Sequence, residues 1–433
     1  MSENKIYFKF DGKTYGGNKG DTIASALLRN EVKLVGRSFK YHRPRGIYTC
    51  GIEEPNALVQ ILNEHNEPNV RATVKKIYDG MVVKSQNRWP SLKRDFGSIN
   101  NLLSPIFSTG FYYKTFMGPK SFWKNVYEPL IRRTAGLGKP PREFKSKSIH
   151  LHHNVDVLIV GGGLAGLLAA KKLAGTDQDV LLIERDDNLG GILKNSNKIK
   201  SIDGQQSTDW IEKTEWLLKS TNNIKILKNT TVTTYNYKDH LIAIEDKSVG
   251  TPPDNSKPEL VMHKIRTKHT VLANGHIERF LSFRNNDLPG VMLAASFEKY
   301  IHRYGVVADT SPVIFTNNSS TFSLLKTMVD MNHKPKAYVD IRDPKKIEKE
   351  TLELINNYNI PFYPKSEIEG CEGKNQLKKI FIRTKKDKTL KINTSMLCIS
   401  GGLNPDIHLF TQSKGLVEWD EKILTFKPEK SFQ

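Results

Sequence analysis

The stretch Val155-Asp156-Val157-Leu158-Ile159-Val160-Gly161-Gly162-Gly163-Leu164-Ala165-Gly166 decides the fold. Its first half is a near-continuous apolar run, the composition of a strand covered on both faces in a parallel sheet. Its second half has the G-x-G-x-x-G spacing, and Leu167–Ala174 continues with helical composition. Gly161 permits the tight turn, Gly163 lets backbone approach a pyrophosphate, and Gly166 lets helix pack on strand. The diphosphate of a dinucleotide then rests on the N–H groups at the helix start. A second strand, Val180-Leu181-Leu182-Ile183, ends in Glu184, near the expected distance of about 20 residues, where a carboxylate accepts from ribose hydroxyls. An acid there disfavours a 2′-phosphate and hence NADP.

Outward from this core, β-α-β alternation with Gly turns runs from Val155 to about residue 400, the pattern of an α/β fold. After Glu184, Arg185-Asp186-Asp187-Asn188-Leu189-Gly190-Gly191 resembles the continuation found in two-dinucleotide-domain flavoproteins. Thr270-Val271-Leu272-Ala273-Asn274-Gly275 resembles the strand and turn leading out of their first nucleotide domain. The candidate cofactor contacts are therefore Gly161, Gly163, Leu164, Ala165, Gly166, Glu184, Arg185, Gly191, Asn274 and Gly275, with FAD and NAD both open. A second Rossmann-like unit is expected at about 290–400. Its strand Val313-Ile314-Phe315 enters Thr316-Asn317-Asn318-Ser319-Ser320 without a glycine, so side chains stand where a pyrophosphate must approach backbone. That unit is expected to keep the fold without holding NAD(P)H in the usual place.

The N-terminal part reads as a small α+β domain over residues 1–95. Ile6–Phe10 alternates as a strand, Asp11-Gly12 turns toward a second strand at Thr14-Tyr15, and Asp21 or Thr22 caps a helix from Ile23. Further strands are expected at 57–62 and 72–77. Residues 96–153, rich in Pro, aromatics and Lys/Arg, are expected to form an ordered connector, and 154–433 the nucleotide-binding domain.

With 433 residues, 38% hydrophobic, the chain has material for two to three domains. Lys and Arg number 66 against 46 Asp and Glu, a formal net charge of +20. The lysines are scattered without the aromatic-plus-basic signature of an RNA-binding sheet, so nucleic acid is not the expected partner, and the charge reads as generic solvated charge or as attraction to an acidic partner subunit. Cys50, Cys371 and Cys398 lie too far apart for a disulfide framework or a zinc motif, which suits the cytoplasm. No metal site is expected. The N-terminus lacks an export signal, and no apolar run is long enough to span a bilayer. His276-Ile277-Glu278-Arg279 reads as structural, and no catalytic residue is assigned to this chain.

Five further stretches stand out along the chain: Gly36-Arg37-Ser38-Phe39-Lys40-Tyr41-His42-Arg43-Pro44-Arg45-Gly46, Glu54-Pro55-Asn56-Ala57, Phe111–Met117, Asp287-Leu288-Pro289-Gly290-Val291-Met292 and Ser400-Gly401-Gly402-Leu403-Asn404-Pro405. Through them the sequence, across nearly its whole length, resembles the alpha subunits of heterotetrameric sarcosine oxidase and their dye-linked dehydrogenase relatives. It implies a glutathione-reductase-like two-dinucleotide-domain fold preceded by a ferredoxin-like β-grasp domain. It implies a beta subunit carrying FAD and the amine site, FMN near their junction, and further small subunits or a separate C-terminal alpha fragment. The implied reaction is oxidative demethylation of sarcosine to glycine and formaldehyde with oxygen as acceptor. Proline or opine dehydrogenation, and a non-catalytic assembly role, stand as alternatives. Some relatives bind a [2Fe–2S] cluster on four cysteines of the N-terminal domain; only Cys50 remains here, so no iron–sulfur cluster is expected. Arg37, Lys40, Arg43 and Arg45 are candidate contacts for a flavin phosphate or another subunit. The chain is expected to stop before the segment that returns to the first nucleotide domain, as a shortened relative.

Overall fold

The apolar run at 155–160 is the inner half of a longer strand, Lys147–Val160, so the expected boundary at 153/154 falls inside a single element. This strand sits in a six-stranded sheet ordered Ile224–Leu227, Val180–Ile183, Lys147–Val160, Pro258–Leu272, His240–Asp246, Thr230–Asn236. The first four are mutually parallel, and the last two are joined through antiparallel pairings. Alternate side chains explain the unbroken apolar sequence. Val157 and Ile159 pack on one face with Leu167, Ala170, Trp210 and Ile211. Leu158 pairs with the other face, among Leu181, Ile183, Tyr235, Leu241 and Leu409.

The computed structural model describes residues 5–102, 118–129, 147–236, 239–254 and 256–430. The chain divides into two compact units. One comprises Met1–Phe144, Leu281–Thr316 and Asn332–Ile399; the other comprises Lys145–Phe280, Asn317–Met331 and Ser400–Gln433. The second of these holds the six-stranded sheet. Leu409 in its core, and Gln412 accepting from the Tyr235 N–H at 2.8 Å, show that the residues after Ser400 do return to the six-stranded sheet. That corrects the expectation that the chain stops short of the return. Leu403–Pro405 pairs antiparallel with His276–Glu278 and carries the chain back.

In the other unit, a five-stranded sheet runs Lys13–Asn18, Lys5–Phe10, Val82–Ser85, Leu58–Ile61, Glu67–Arg71. The helix Ile23–Arg29 accompanies it, with Thr22 as N-cap in a reciprocal capping box with Ser25. The expected strand at 72–77 is not one. Its buried Ala72 and Ile77 belong to a turn whose carbonyls at Ala72 and Lys75 accept from Ala24 and Ile23 at the helix start. Burial every few residues there reflects covering the helix end, not a pleat.

The same unit contains the second parallel sheet, ordered Val291–Leu293, Leu397–Ser400, Val313–Thr316, Ala337–Asp340, Phe362–Pro364. The antiparallel strands Glu367–Glu372, Lys379–Arg383 and Thr389–Asn393 follow it in a separate sheet. Glu54 organises the loop before Leu58. Its Oε2 accepts from the N–H groups of Tyr48 and Thr49 and from the Thr49 hydroxyl, and its Oε1 from the N–H groups of Asn56 and Ala57, at 2.7–3.1 Å. This buried carboxyl is pushed above its ordinary range by burial, against the pull of those donors. The motif Glu54-Pro55-Asn56-Ala57 is thus a loop that folds around its own acid.

The Phe111–Met117 block, with most of the expected connector, lies outside the described residues. Among the described residues no helix is long and apolar enough to cross a membrane.

Candidate nucleotide-binding site

The helix Leu164–Leu173 begins at Gly163 with no side-chain cap and no acid in its first turn. Its first N–H groups therefore lack a protein partner and present an anion site. The glycines before it differ in what they accommodate. Gly161 has φ +106°, and a Cβ there would lie 2.3 Å from the Ala273 carbonyl oxygen. A Cβ on Gly166 would lie 1.8 Å from the Gly161 oxygen, the closest approach of helix to strand. A Cβ on Gly162 would meet the Leu189 side chain at 2.5 Å. Gly163 alone of the four has neither constraint: its φ is −76°, and a Cβ there would meet no protein atom within 4 Å. The space over Gly163 is open, as a diphosphate lying against backbone requires. Across from it stands Gly191, with φ +50° and a Cβ position 3.2 Å from the Gly163 Cα.

Glu184 is buried at the end of its strand. Its Oε2 accepts from the Gly162 N–H at 2.7 Å and its Oε1 from the Asp186 N–H at 2.8 Å, so the acid is braced against the glycine turn and each oxygen retains a lone pair. Burial pushes its pKa up, opposed by those two N–H donors. Arg185 points to solvent. Asn274 and Gly275 follow the strand Pro258–Leu272, beside the turn that Gly161 makes, and the Asn274 Oδ1 is buried without a hydrogen-bond partner. The structure thus brings Gly161, Gly163, Leu164, Ala165, Gly166, Glu184 and Gly191 to one end of the sheet. These residues fit an adenine dinucleotide such as FAD or NAD.

The glycine-free loop after the strand Val313–Thr316 is filled by its own side chains. Asn318 Nδ2 donates to the Ser400 carbonyl at 3.1 Å, Asn318 Oδ1 accepts from the Ser320 N–H at 2.8 Å, and the hydroxyls of Ser320 and Ser400 lie 2.9 Å apart. Separately, Asp340 ends the strand Ala337–Asp340 as Glu184 ends its own, but it is fully buried and gripped by Arg342, with Nη2 to Oδ2 at 2.9 Å and Nε to Oδ1 at 3.1 Å. His276-Ile277-Glu278-Arg279 forms part of the ribbon with Leu403–Pro405, and Arg279 donates to the carbonyls of Leu424 and Ile423.

The basic run folds inward. Arg43 donates to Asp287 through Nε at 2.7 Å and Nη2 at 2.6 Å, and Arg45 donates to the same carboxylate. Arg37 is buried, donating to the carbonyls of Leu92 and His42 and to Asn375. Lys40 lies over the Tyr41 ring at 4.9 Å. The segment is neither a solvated loop nor a set of open guanidiniums, because Asp287 accepts from Arg43 and Arg45 and Arg37 is buried against carbonyls. Burial alone would raise the Asp287 pKa, but the bond from Arg43 and the charge of Arg45 bring it below the usual carboxylate range. A Cβ on Gly46 would meet the Pro289 Cα at 2.7 Å, so the block 36–46 and the Asp287–Gly290 turn are built against each other. Both motifs are visible in the sequence, but their pairing is not. The signal was the excess of cations in 36–46, which contains no acid and needs one from elsewhere.

Residues 155–426 match the family model described as pyridine nucleotide-disulphide oxidoreductase, and the chain belongs to that family. It is similar to the sarcosine oxidase subunit alpha of Rhizobium meliloti (strain 1021), 37% identical over 97% of this chain and 42% of the relative. It is also similar to that of Corynebacterium sp. (strain U-96), 28% identical over 96% of this chain and 39% of the relative. The chain thus spans about two fifths of the length of these curated relatives. Among solved structures, L-proline dehydrogenase from P. horikoshii matches all of this chain and 66% of its own, with a TM-score of 0.63 and 19% identity, a likeness of fold.

Residues 3–88 match the family model described as 2Fe-2S iron-sulfur cluster binding domain. This corrects the expectation of no iron–sulfur cluster, which was drawn from a count of cysteines, whereas the whole pattern of the segment is that of a cluster-binding domain. Within it Cys50 is the one thiol. It is buried, and burial pushes its pKa up to about 12. One such thiol does not fit the four-ligand set of a [2Fe–2S] centre.

Proposed function

We propose that the chain is the nucleotide-binding alpha subunit of a multi-subunit, flavin-dependent amine oxidoreductase of the sarcosine oxidase type. It holds FAD or NAD at Gly161–Gly166 while a beta subunit carries the amine site. The open space over Gly163, beside uncapped helix N–H groups and the braced acid Glu184, is the observation that carries the nucleotide assignment. Similarity to sarcosine oxidase alpha subunits over 97% of the chain supports the reaction class. We read the chain as a β-grasp domain over 1–95, a connector over 96–153 and a nucleotide-binding domain over 154–433, with a two-dinucleotide-domain arrangement in the last.

In this reading the glycine turn orients the diphosphate, Glu184 holds the adenosine ribose, and Asn274 and Gly275 border the bound group. Bound flavin supplies the two-electron acceptor of the enzyme. Sarcosine loses two electrons and two protons, and water then releases formaldehyde and leaves glycine, while oxygen takes the electrons and becomes hydrogen peroxide. The second Rossmann-like unit contributes structure, since Asn318, Ser320 and Ser400 fill the place of a diphosphate and Arg342 occupies Asp340.

The test is turnover by the purified chain, alone and combined with its beta subunit, on sarcosine and on proline, with oxygen or an artificial dye as acceptor. The combination should form formaldehyde and hydrogen peroxide from sarcosine, and the chain alone neither. Amine turnover by the isolated chain would overturn the placement of the amine site on a partner, and preference for proline with a dye would overturn the substrate.

A further inference from the structure

The segment after the five-stranded sheet ends in a 3₁₀ helix, Phe96–Asn101, none of whose residues is buried. A 3₁₀ helix has three residues per turn, so side chains at i and i+3 stand one above the other. Phe96, Ile99 and Leu102 follow that spacing and form a single apolar edge that faces outward: they are 64%, 62% and 78% exposed. Trp89, itself 67% exposed, extends the edge by meeting Phe96 edge-on at 5.4 Å between ring centroids. Isolated apolar side chains on a surface are ordinary, but four large ones of which three share one helix edge and two touch make a contact patch.

The helix is held in place from behind. Asp95 caps it, accepting from Gly97 N–H at 3.2 Å, and its other oxygen lies 2.7 Å from His42 Nδ1. The Asn100 side chain reaches the Lys40 carbonyl at 3.5 Å. Asp95 is also the one acid between Lys84 and Leu102, and its side chain is fully buried. The exposed charges of that segment are cations: Lys84, Lys93 and Arg94. An apolar edge flanked in sequence by the exposed cations Lys93 and Arg94, with Arg88 beside Trp89 paired to Asp11, complements a surface that is apolar at its centre and carboxylate-bearing around it.

We propose that the edge Trp89, Phe96, Ile99 and Leu102 seats a partner subunit presenting an apolar contact ringed by acidic residues. This rests on the reading of the chain as one subunit of a hetero-oligomer. The experiment is sedimentation velocity of the full chain mixed with its beta subunit, at low and high salt. Two variants accompany the wild type: Phe96→Ser/Ile99→Ser/Leu102→Ser, and Lys93→Glu/Arg94→Glu. The altered side chains are exposed, so circular dichroism and thermal unfolding should match wild type. The first variant should weaken the complex about 100-fold and the second about 10-fold with loss of salt sensitivity. Full-strength assembly by the triple variant would overturn this surface while leaving the subunit reading intact. Failure of the wild type to bind would overturn both. A wild-type homodimer dissolved by the triple substitution would replace the acidic partner with a second copy of this chain.

Discussion

Gly163→Val should give a folded protein without nucleotide, and Gly166→Ala should give little folded protein at all. The two positions are three residues apart in the same motif, yet the structure separates their roles. At Gly166 an added Cβ would lie 1.8 Å from the Gly161 carbonyl oxygen, which is backbone and cannot rotate away. Either the glycine turn or the helix must move, at a cost of about 3 kcal/mol or more. At Gly163 the backbone is extended with φ −76°, a conformation that valine adopts freely, and no protein atom stands within 4 Å of the new Cβ. Unfolding free energy should change there by about 0.5 kcal/mol or less. The β-branched side chain would instead fill the diphosphate's space. Urea denaturation with nucleotide content measured on the same samples checks the pair. Retained nucleotide in Gly163→Val would contradict the assignment.

Reversal of the two arginines that grip Asp287 is the second large effect. In Arg43→Glu/Arg45→Glu three carboxylates would converge where one now accepts from two guanidiniums, with every side chain there less than a third exposed. Removing the partners of such a charge costs on the order of 3 kcal/mol, and repulsion adds to it. The substitution is therefore a fold lesion, whereas a flavin-phosphate or subunit role for these residues would leave the fold intact. The pH dependence has a definite sign. The Asp287 pKa is depressed in the fold, so its contribution is present above the unfolded carboxylate pKa and disappears as pH falls through the lower folded value. Acid titration of thermal stability should show this loss below about pH 4 in wild type and not in Asp287→Asn.

Much of the nucleotide site was legible because it is local: strand, turn, helix and terminal acid fall within 30 consecutive residues, from Val155 to Glu184. The Glu184 bond to Gly162 was not, since the residues lie 22 apart and the contact depends on strand register. Asp287 was missed for the same reason, being 244 residues from Arg43. The false strand at 72–77 arose because apolar spacing reports burial without saying what is covered. The return of the chain after Ser400 was missed because Leu409 and Gln412 carry no motif; only their contacts with Leu158 and Tyr235 reveal it. The N-terminal domain was recognised by pattern and then judged by its cysteines alone, and the family match of residues 3–88 shows that pattern and ligand count answer different questions.

The most direct measurement is the mass spectrum of whatever the wild-type chain releases on denaturation, quantified per chain and repeated after assembly with the beta subunit. The account predicts an adenine dinucleotide, FAD or NAD, in stoichiometric amount and absent from Gly163→Val. A chain that releases no nucleotide in either state, while remaining folded and assembled, would contradict it.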